Sequence, residues 1–373
     1  MDIAIVTTRL VDKDAQGNFT AATASALKKI CGKVSIFTFA YERPPIEGVD
    51  VHFMAGRNGH SLGSNFTVAL RTGKLAKELA AYDVLLLVGP DVGALPAAHR
   101  AKHYNPALKL VWAYHGLTPP EFLSGFREKI LVRVRKMEYV RSMRRSDLVQ
   151  TFSEYIKSEL AGEGIDPSKM ITMPFGVDMA RFSSGDGARA RSKYGIGDSF
   201  LLLYVGRLAG LKRVDELIRA IKLLNDVNVK LLIAGSGPEL ESLESLSRKL
   251  EACERVAFAG RVDDAELPDL YAACDAWVTS SRHEGFCVPI VEAMAAGKPV
   301  IVPDVAAMPE TAGEAGMVYR SGDLDDLVSK IRVLASDKYL YADLSDKAHA
   351  MAGRFEKSEV MDRYIELLIT RGR

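Results

Sequence analysis

Short runs of Val, Leu and Ile recur along this chain between longer amphipathic stretches, and the whole rhythm occurs twice. In the first half the runs are Ile3 to Thr7, Val34 to Phe39, Val84 to Val88, Lys109 to Tyr114 and Leu148 to Phe152. After a turn-rich stretch from Pro174 to Gly197 it restarts with Phe200 to Val205, Val229 to Ala234, Arg255 to Ala259, Ala276 to Thr279 and Pro299 to Val302. Runs this continuously apolar suit strands covered on both faces, and their alternation with helical stretches suits parallel sheets. The prediction is therefore an α/β chain of two Rossmann-like, doubly wound parallel sheets.

Length agrees, because 373 residues exceed what one hydrophobic core usually serves. The Gly-rich stretch Ser183 to Ala188 and Pro174-Phe175-Gly176 place the boundary near residue 180. The expected domains are 1–178 and 179–354, with a C-terminal helix, 355–373, packing back on the first domain. In such sheets ligands bind beyond the carboxyl ends of the strands, so the loops after the strands are where chemistry is expected.

Charge narrows the partners. Lys+Arg 49 against Asp+Glu 48 leaves almost no net charge, which gives no support to nucleic-acid binding. No apolar run reaches the roughly 18 residues of a membrane span, and Met1 to Leu10 reads as a strand and turn, not a leader, so a cytoplasmic location is expected. Cys31, Cys253, Cys274 and Cys287 are scattered and read as reduced thiols. His99 and His103, one helical turn apart, sit among Arg100 and Lys102 and read as an exposed helix face with no metal.

The segment richest in chemistry runs from His283 to Pro299 and joins a strand to a helix and the next strand. Glu284 and Glu292 lie in it with seven residues between them, and Gly285 frees the backbone where helix N–H groups favour an anion. The plainer reading is one solvated Glu and a loop salt bridge. A second segment, Tyr204-Val205-Gly206-Arg207-Leu208-Ala209-Gly210-Leu211-Lys212-Arg213, ends a strand at a glycine and then places two cations. A third, Leu231 to Pro238, holds Gly235 and Gly237 but no third glycine, which makes a dehydrogenase fingerprint weak.

Taken together, E-G-F-x-x-P-x-x-E-A-M-A-x-G with the other two segments resembles glycosyltransferase family 4, and the resemblance extends over most of the chain. It implies the GT-B fold, two Rossmann-like domains facing across a cleft, and a retaining, metal-independent hexosyltransferase using a nucleotide diphosphate sugar as substrate with no separate cofactor. Glu292 would bind the donor ribose, since a carboxylate accepts two hydrogen bonds from vicinal hydroxyls. Glu284, with Gly285, Phe286, Cys287 and Val288, would lie by the donor sugar and diphosphate. Arg207 and Lys212, after Gly206, would clamp the phosphates and offset charge on the leaving group. Gly237 would pack near the phosphates and base, and the backbone at Arg261 and Val262 would read the base. His115, at the end of Val111-Trp112-Ala113-Tyr114-His115, would sit by the donor sugar, and Gly17 would let the diphosphate approach the first strand's loop.

This sequence departs from the family pattern in three places. Asn18 stands where a second glycine is common, Ala306 and Ala307 replace glycines, and Cys287 occupies a position often held by glycine. Alanine adopts positive φ reluctantly, so the loop at 303–310 is expected to be stiff. Asp12-Lys13-Asp14 is the one Asp-x-Asp near the N-terminal strand and reads as a solvated loop.

On the acceptor side, residues 126–145 form a basic amphipathic helix interleaving Arg127, Lys129, Arg133, Arg135 and Lys136 with Ile130, Leu131, Val134 and Met137. Two expectations compete: contact with anionic lipid or a lipid-linked acceptor at the inner face of a membrane, or an apolar stripe packed on the first sheet. The donor expected is GDP- or UDP-linked, with mannose or glucose favoured; the acceptor is a glycan, a lipid-linked sugar or a small molecule. The rival functions are a nucleotide-sugar 2-epimerase of the same fold and a nucleotide-sugar binding protein without turnover.

Overall fold

The computed structural model describes all residues except 12–14, 43, 55–71, 91, 124 and 373. The chain divides into two compact units, Met1–Pro174 with Met361–Arg373, and Phe175–Val360. The sequence expectation put the divides at 178 and 354; the observed ones fall four residues before the first and six after the second.

The first unit holds β1 (Asp2–Thr7), β2 (Arg9–Val11), β3 (Lys33–Thr38), β4 (Ala40–Glu42), β5 (Asp50–Phe53), β6 (Val84–Val88), β7 (Lys109–Tyr114), β8 (Leu148–Thr151) and β9 (Met170–Thr172). Seven of them form a sheet in the order β5-β3-β1-β6-β7-β8-β9, and β2 pairs with β4. Every pairing is parallel. All five residues of β6 are fully buried, as are Ile3 to Val6 of β1, because helices cover both faces. Four strands went unread in the sequence: β5 alternates on the sheet edge with Asp50 and His52, and β2, β4 and β9 are only three residues long.

The second unit carries β10 (Phe200–Val205), β11 (Val229–Ala234), β12 (Val256–Gly260), β13 (Ala276–Val278), β14 (Val300–Pro303) and β15 (Gly316–Tyr319) in the order β12-β11-β10-β13-β14-β15, again all parallel. The edge strand β15 is only partly buried and was also missed. Strand order reverses between β1 and β6 in one unit and between β10 and β13 in the other. Loops leaving such neighbours diverge to opposite faces and open a crevice at the carboxyl ends. These two doubly wound α/β sheets are the architecture that the sequence predicts.

Candidate functional site

In the second unit the reversal sets the loop after β10 beside the loop after β13. The chain leaves β10 through Gly206, forms a 3-10 turn at Gly210–Lys212, and enters the helix Val214–Leu223 with Arg213 in the left-handed region at φ 48°. A side chain forced into that region costs roughly 1–2 kcal/mol, so something must hold the turn. Ser280, just past β13, does so: its Oγ lies 3.1 Å from the Lys212 carbonyl and 2.6 Å from that of Arg213. The Arg282 amide donates to the Leu211 carbonyl at 3.0 Å, and the Arg282 guanidinium bonds Glu216 and Ser321.

The turn held in this way brings Lys212 Nζ into an ion pair with Glu284 Oε1, both side chains being less than a fifth exposed. Two of the residues singled out by sequence are therefore in direct contact. Arg207 is exposed, and its guanidinium forms no ion pair among the described residues. Its carbonyl accepts from Tyr204 Oη at 3.2 Å, and burial keeps that phenol well above its ordinary pKa.

The glycines of the β11 turn are there for closeness. A Cβ on Gly235 would lie 1.8 Å from the Gly206 carbonyl oxygen, and one on Gly237 would lie 2.2 Å from that of Leu208. The Leu208 amide donates to Ser236 at 2.9 Å, and the Gly235 amide donates to the Gly260 carbonyl at 2.8 Å. The ends of β10, β11 and β12 are thus laced side by side, with exposed Arg261 and half-buried Val262 next in the chain.

Cys287 opens the helix Val288–Ala295 in a left-handed conformation, φ 72° and ψ 72°. Burial pushes its thiol well above the ordinary range, with Glu284 adding to the effect and Lys212 opposing it. Ala306 is also left-handed, at φ 54°, a conformation that alanine adopts reluctantly. The turn is held by the Ala307 amide, which donates to the Glu284 carbonyl at 3.2 Å, and by Thr311 Oγ1, which donates to the Phe286 carbonyl at 2.7 Å.

The ring of Phe286 is 5% exposed and packs against Phe175 at 5.6 Å and Phe355 at 5.7 Å, so the side chain anchors the loop in the core. Glu292, two turns along, accepts a hydrogen bond from Tyr271 Oη at 2.6 Å. Burial raises its pKa above the usual 4.5, and Tyr271 opposes the rise.

In the first unit, His115 follows β7 and lines a cavity of about 300 Å³ with Thr8, Gln16, Gly89, Arg135 and Tyr139. Its ring packs edge-on to Phe19 at 5.4 Å and tilted to Phe152 at 4.5 Å. Gln16 donates to Thr7 Oγ1 at 3.0 Å and to the Val88 carbonyl at 2.9 Å, bridging β1 and β6 where the order reverses. Gly17 is not in a loop; it lies in the first turn of the helix Ala15–Lys28. Asp12-Lys13-Asp14 lies outside the described residues.

His99 corrects another expectation. It is half-buried, its Nε2 lies 2.7 Å from Ser142 Oγ, and burial lowers its pKa, whereas His103 is exposed. No group of three or more His, Cys, Asp or Glu able to hold a metal occurs among the described residues. Of the basic helix, now Phe126–Arg144, only the last turns pack inward, through Tyr139, Val140, Ser142 and Met143. Phe126 is 76% and Leu131 63% exposed, and Ile130, Val134 and Met137 are exposed too. The expectation of a packed apolar stripe holds for its C-terminal half alone. No helix among the described residues is long and apolar enough to cross a membrane.

Sequence reasoning missed Gln16, Gly89, Tyr271 and Ser280, and read Arg135 only as part of the basic helix. The Gly89-Pro90 step after an apolar run and the serine pair before the glutamate motif were the available signals for Gly89 and Ser280.

Comparison with known proteins covers both units. Residues 187–351 match the family described as Glycosyl transferases group 1, and residues 16–181 match Glycosyltransferase Family 4. Among curated proteins, the N-acetyl-alpha-D-glucosaminyl L-malate synthase of Bacillus anthracis is 28% identical over 59% of this chain and 58% of its own length. The GDP-mannose-dependent alpha-(1-6)-phosphatidylinositol monomannoside mannosyltransferase of Mycolicibacterium smegmatis is 32% identical over 52% of this chain and 54% of its own. The chain thus matches little more than half the length of these relatives. The crystal structure of Anabaena HepE in complex with UDP superposes with a TM-score of 0.82 over 99% of this chain and 100% of that one, at 22% identity, a likeness of fold.

Proposed function

Since the chain belongs to the family 4, group 1 glycosyltransferases and has the GT-B fold, we propose that it moves a hexose from a nucleotide diphosphate sugar to an acceptor with retention at the anomeric carbon. The observation that carries this is the Lys212–Glu284 pair, set at the strand-order reversal beside the laced glycine turns. Lys212 and Arg207 supply positive charge to the leaving diphosphate, so no metal is needed for that role. Lys212 then exchanges its carboxylate partner for phosphate oxygens, and Glu284 is released toward the donor sugar. Glu292 accepts from the ribose hydroxyls, and the backbone at Gly285, Val288, Arg261 and Val262 contributes amides and carbonyls to phosphate and base.

The cavity of the first unit is assigned to the acceptor. Arg135 and His115 on its wall suit an acceptor that carries an anion, and the two named relatives are a glucosaminyl L-malate synthase and a phosphatidylinositol monomannoside mannosyltransferase. The exposed apolar residues at the start of the basic helix favour a lipid-linked acceptor reached by peripheral contact with an anionic membrane. A GDP-linked mannose or UDP-linked glucose donor fits the same relatives and the UDP-bound neighbour.

Thermal stability measured against UDP, GDP, ADP and dTDP, with Glu292→Ala alongside, tests the reading, because a ligand of the native state raises the midpoint. One nucleotide is expected to raise it by several degrees in the wild type and not in the variant. No shift with any nucleotide overturns the reading. With the donor known, a product whose anomer matches the donor's by NMR supports retention, whereas isomerised donor without transfer assigns the chain as an epimerase.

A further inference from the structure

Glu292 is held by a single side chain. Tyr271, fully buried in the helix Leu267–Ala273, donates from Oη to Glu292 Oε2 at 2.6 Å. The phenol ring is itself fixed from the other side, edge-on to Phe182 at 5.4 Å. Oε1 of Glu292 takes no hydrogen bond from the protein among the described residues. One oxygen is thus tied to the core and the other remains to accept from a ligand.

A glutamate side chain has three rotatable bonds, and freezing them when a ligand arrives weakens binding. A partner that freezes them beforehand removes that cost. We propose that Tyr271 is a positioning residue for the donor ribose: its hydroxyl locks the Glu292 carboxylate in the rotamer that meets the ribose hydroxyls. The inference rests on the assignment of Glu292 to the ribose.

The same bond acts on charge. Burial disfavours the Glu292 carboxylate, while the hydrogen bond from Tyr271 and the nearby Arg181 favour it and Asp264 opposes it. Donation to the charged form lowers a carboxyl pKa, so loss of the phenol hydroxyl leaves Glu292 protonated at higher pH and unable to accept through both oxygens.

The test compares the full chain with Tyr271→Phe, Glu292→Gln and Phe182→Leu, measuring dissociation constants for UDP and GDP and for their 2′,3′-dideoxy counterparts. Tyr271→Phe is expected to weaken the preferred ribonucleotide roughly ten-fold and the dideoxynucleotide less than two-fold, with the acid limb of binding moved to higher pH. Phe182→Leu loosens the same packing without touching the bond, and is expected to keep the wild-type ratio of ribose to dideoxyribose affinity. Equal loss for both nucleotides in Tyr271→Phe overturns the proposal, as does an unmoved acid limb. If Glu292→Gln collapses the ratio and Tyr271→Phe does not, only the positioning role fails. If Glu292→Gln leaves the ratio intact, the ribose assignment fails with it.

Discussion

At the residue scale the loops around Glu284 hold conformations that their side chains disfavour. Arg213, Cys287 and Ala306 are all left-handed, each at a cost of roughly 1–2 kcal/mol. Ala306→Gly relieves one of these without removing a contact. It is expected to stabilise the protein by about 0.5–1 kcal/mol, a rise of about 1–4 °C in the midpoint; calorimetry showing a lower midpoint would mean that the alanine methyl matters more than its backbone. The residues that touch by ion pair were readable because they bring charge to a strand end: Lys212 and Glu284 stood out by type and place. Tyr271 was not readable, since a tyrosine beside Ala272 and Ala273 has the pattern of any core helix and its role depends on a partner 21 residues on. Phe286 was legible as part of the motif but not as an anchor, because its ring completes an aromatic cluster that only the folded chain assembles.

At the scale of elements, the long central strands were legible from their apolar runs, whereas β2, β4, β5, β9 and β15 were not. An edge strand buries little and so carries no continuous apolar run, and a three-residue strand is too short to show one. The basic helix Phe126–Arg144 illustrates a finer limit. Its sequence shows where apolar and basic residues alternate, but which half meets the sheet depends on tertiary packing, and the structure leaves the first half exposed. Arg127, Lys129 and Arg133 form no ion pair among the described residues, so their charge is available to an anionic surface. The protein is expected to float with vesicles containing phosphatidylglycerol at low salt and to leave them as salt screens the attraction. Leu131→Glu with Phe126→Glu should abolish flotation at any salt; flotation unchanged by these substitutions would assign the contact elsewhere.

At the scale of the whole molecule, each sheet has its own core, yet only the second unit is continuous in sequence. The first unit takes Met361–Arg373 as well, and Tyr364 and Leu368 are almost wholly buried there, with Tyr364 5.6 Å from Phe19. Deleting 361–373 exposes the surface they cover, at a cost on the order of 5 kcal/mol, a large part of what holds a domain together. Hydrogen exchange on the shortened chain is expected to show β1 and β6 losing protection while β10 and β11 keep theirs. Unchanged protection in β1 and β6 would show that the helix is dispensable to that core.

The split also sets a timetable for synthesis. Residues 175–360 hold everything their own sheet requires, so that unit can close as soon as its last strand and helices have left the ribosome. The unit translated first is complete only later: the part of its core that Tyr364 and Leu368 cover stays open until they emerge. The earlier half of the protein therefore waits, open and in need of shelter from aggregation, for a segment made after the whole of the second unit.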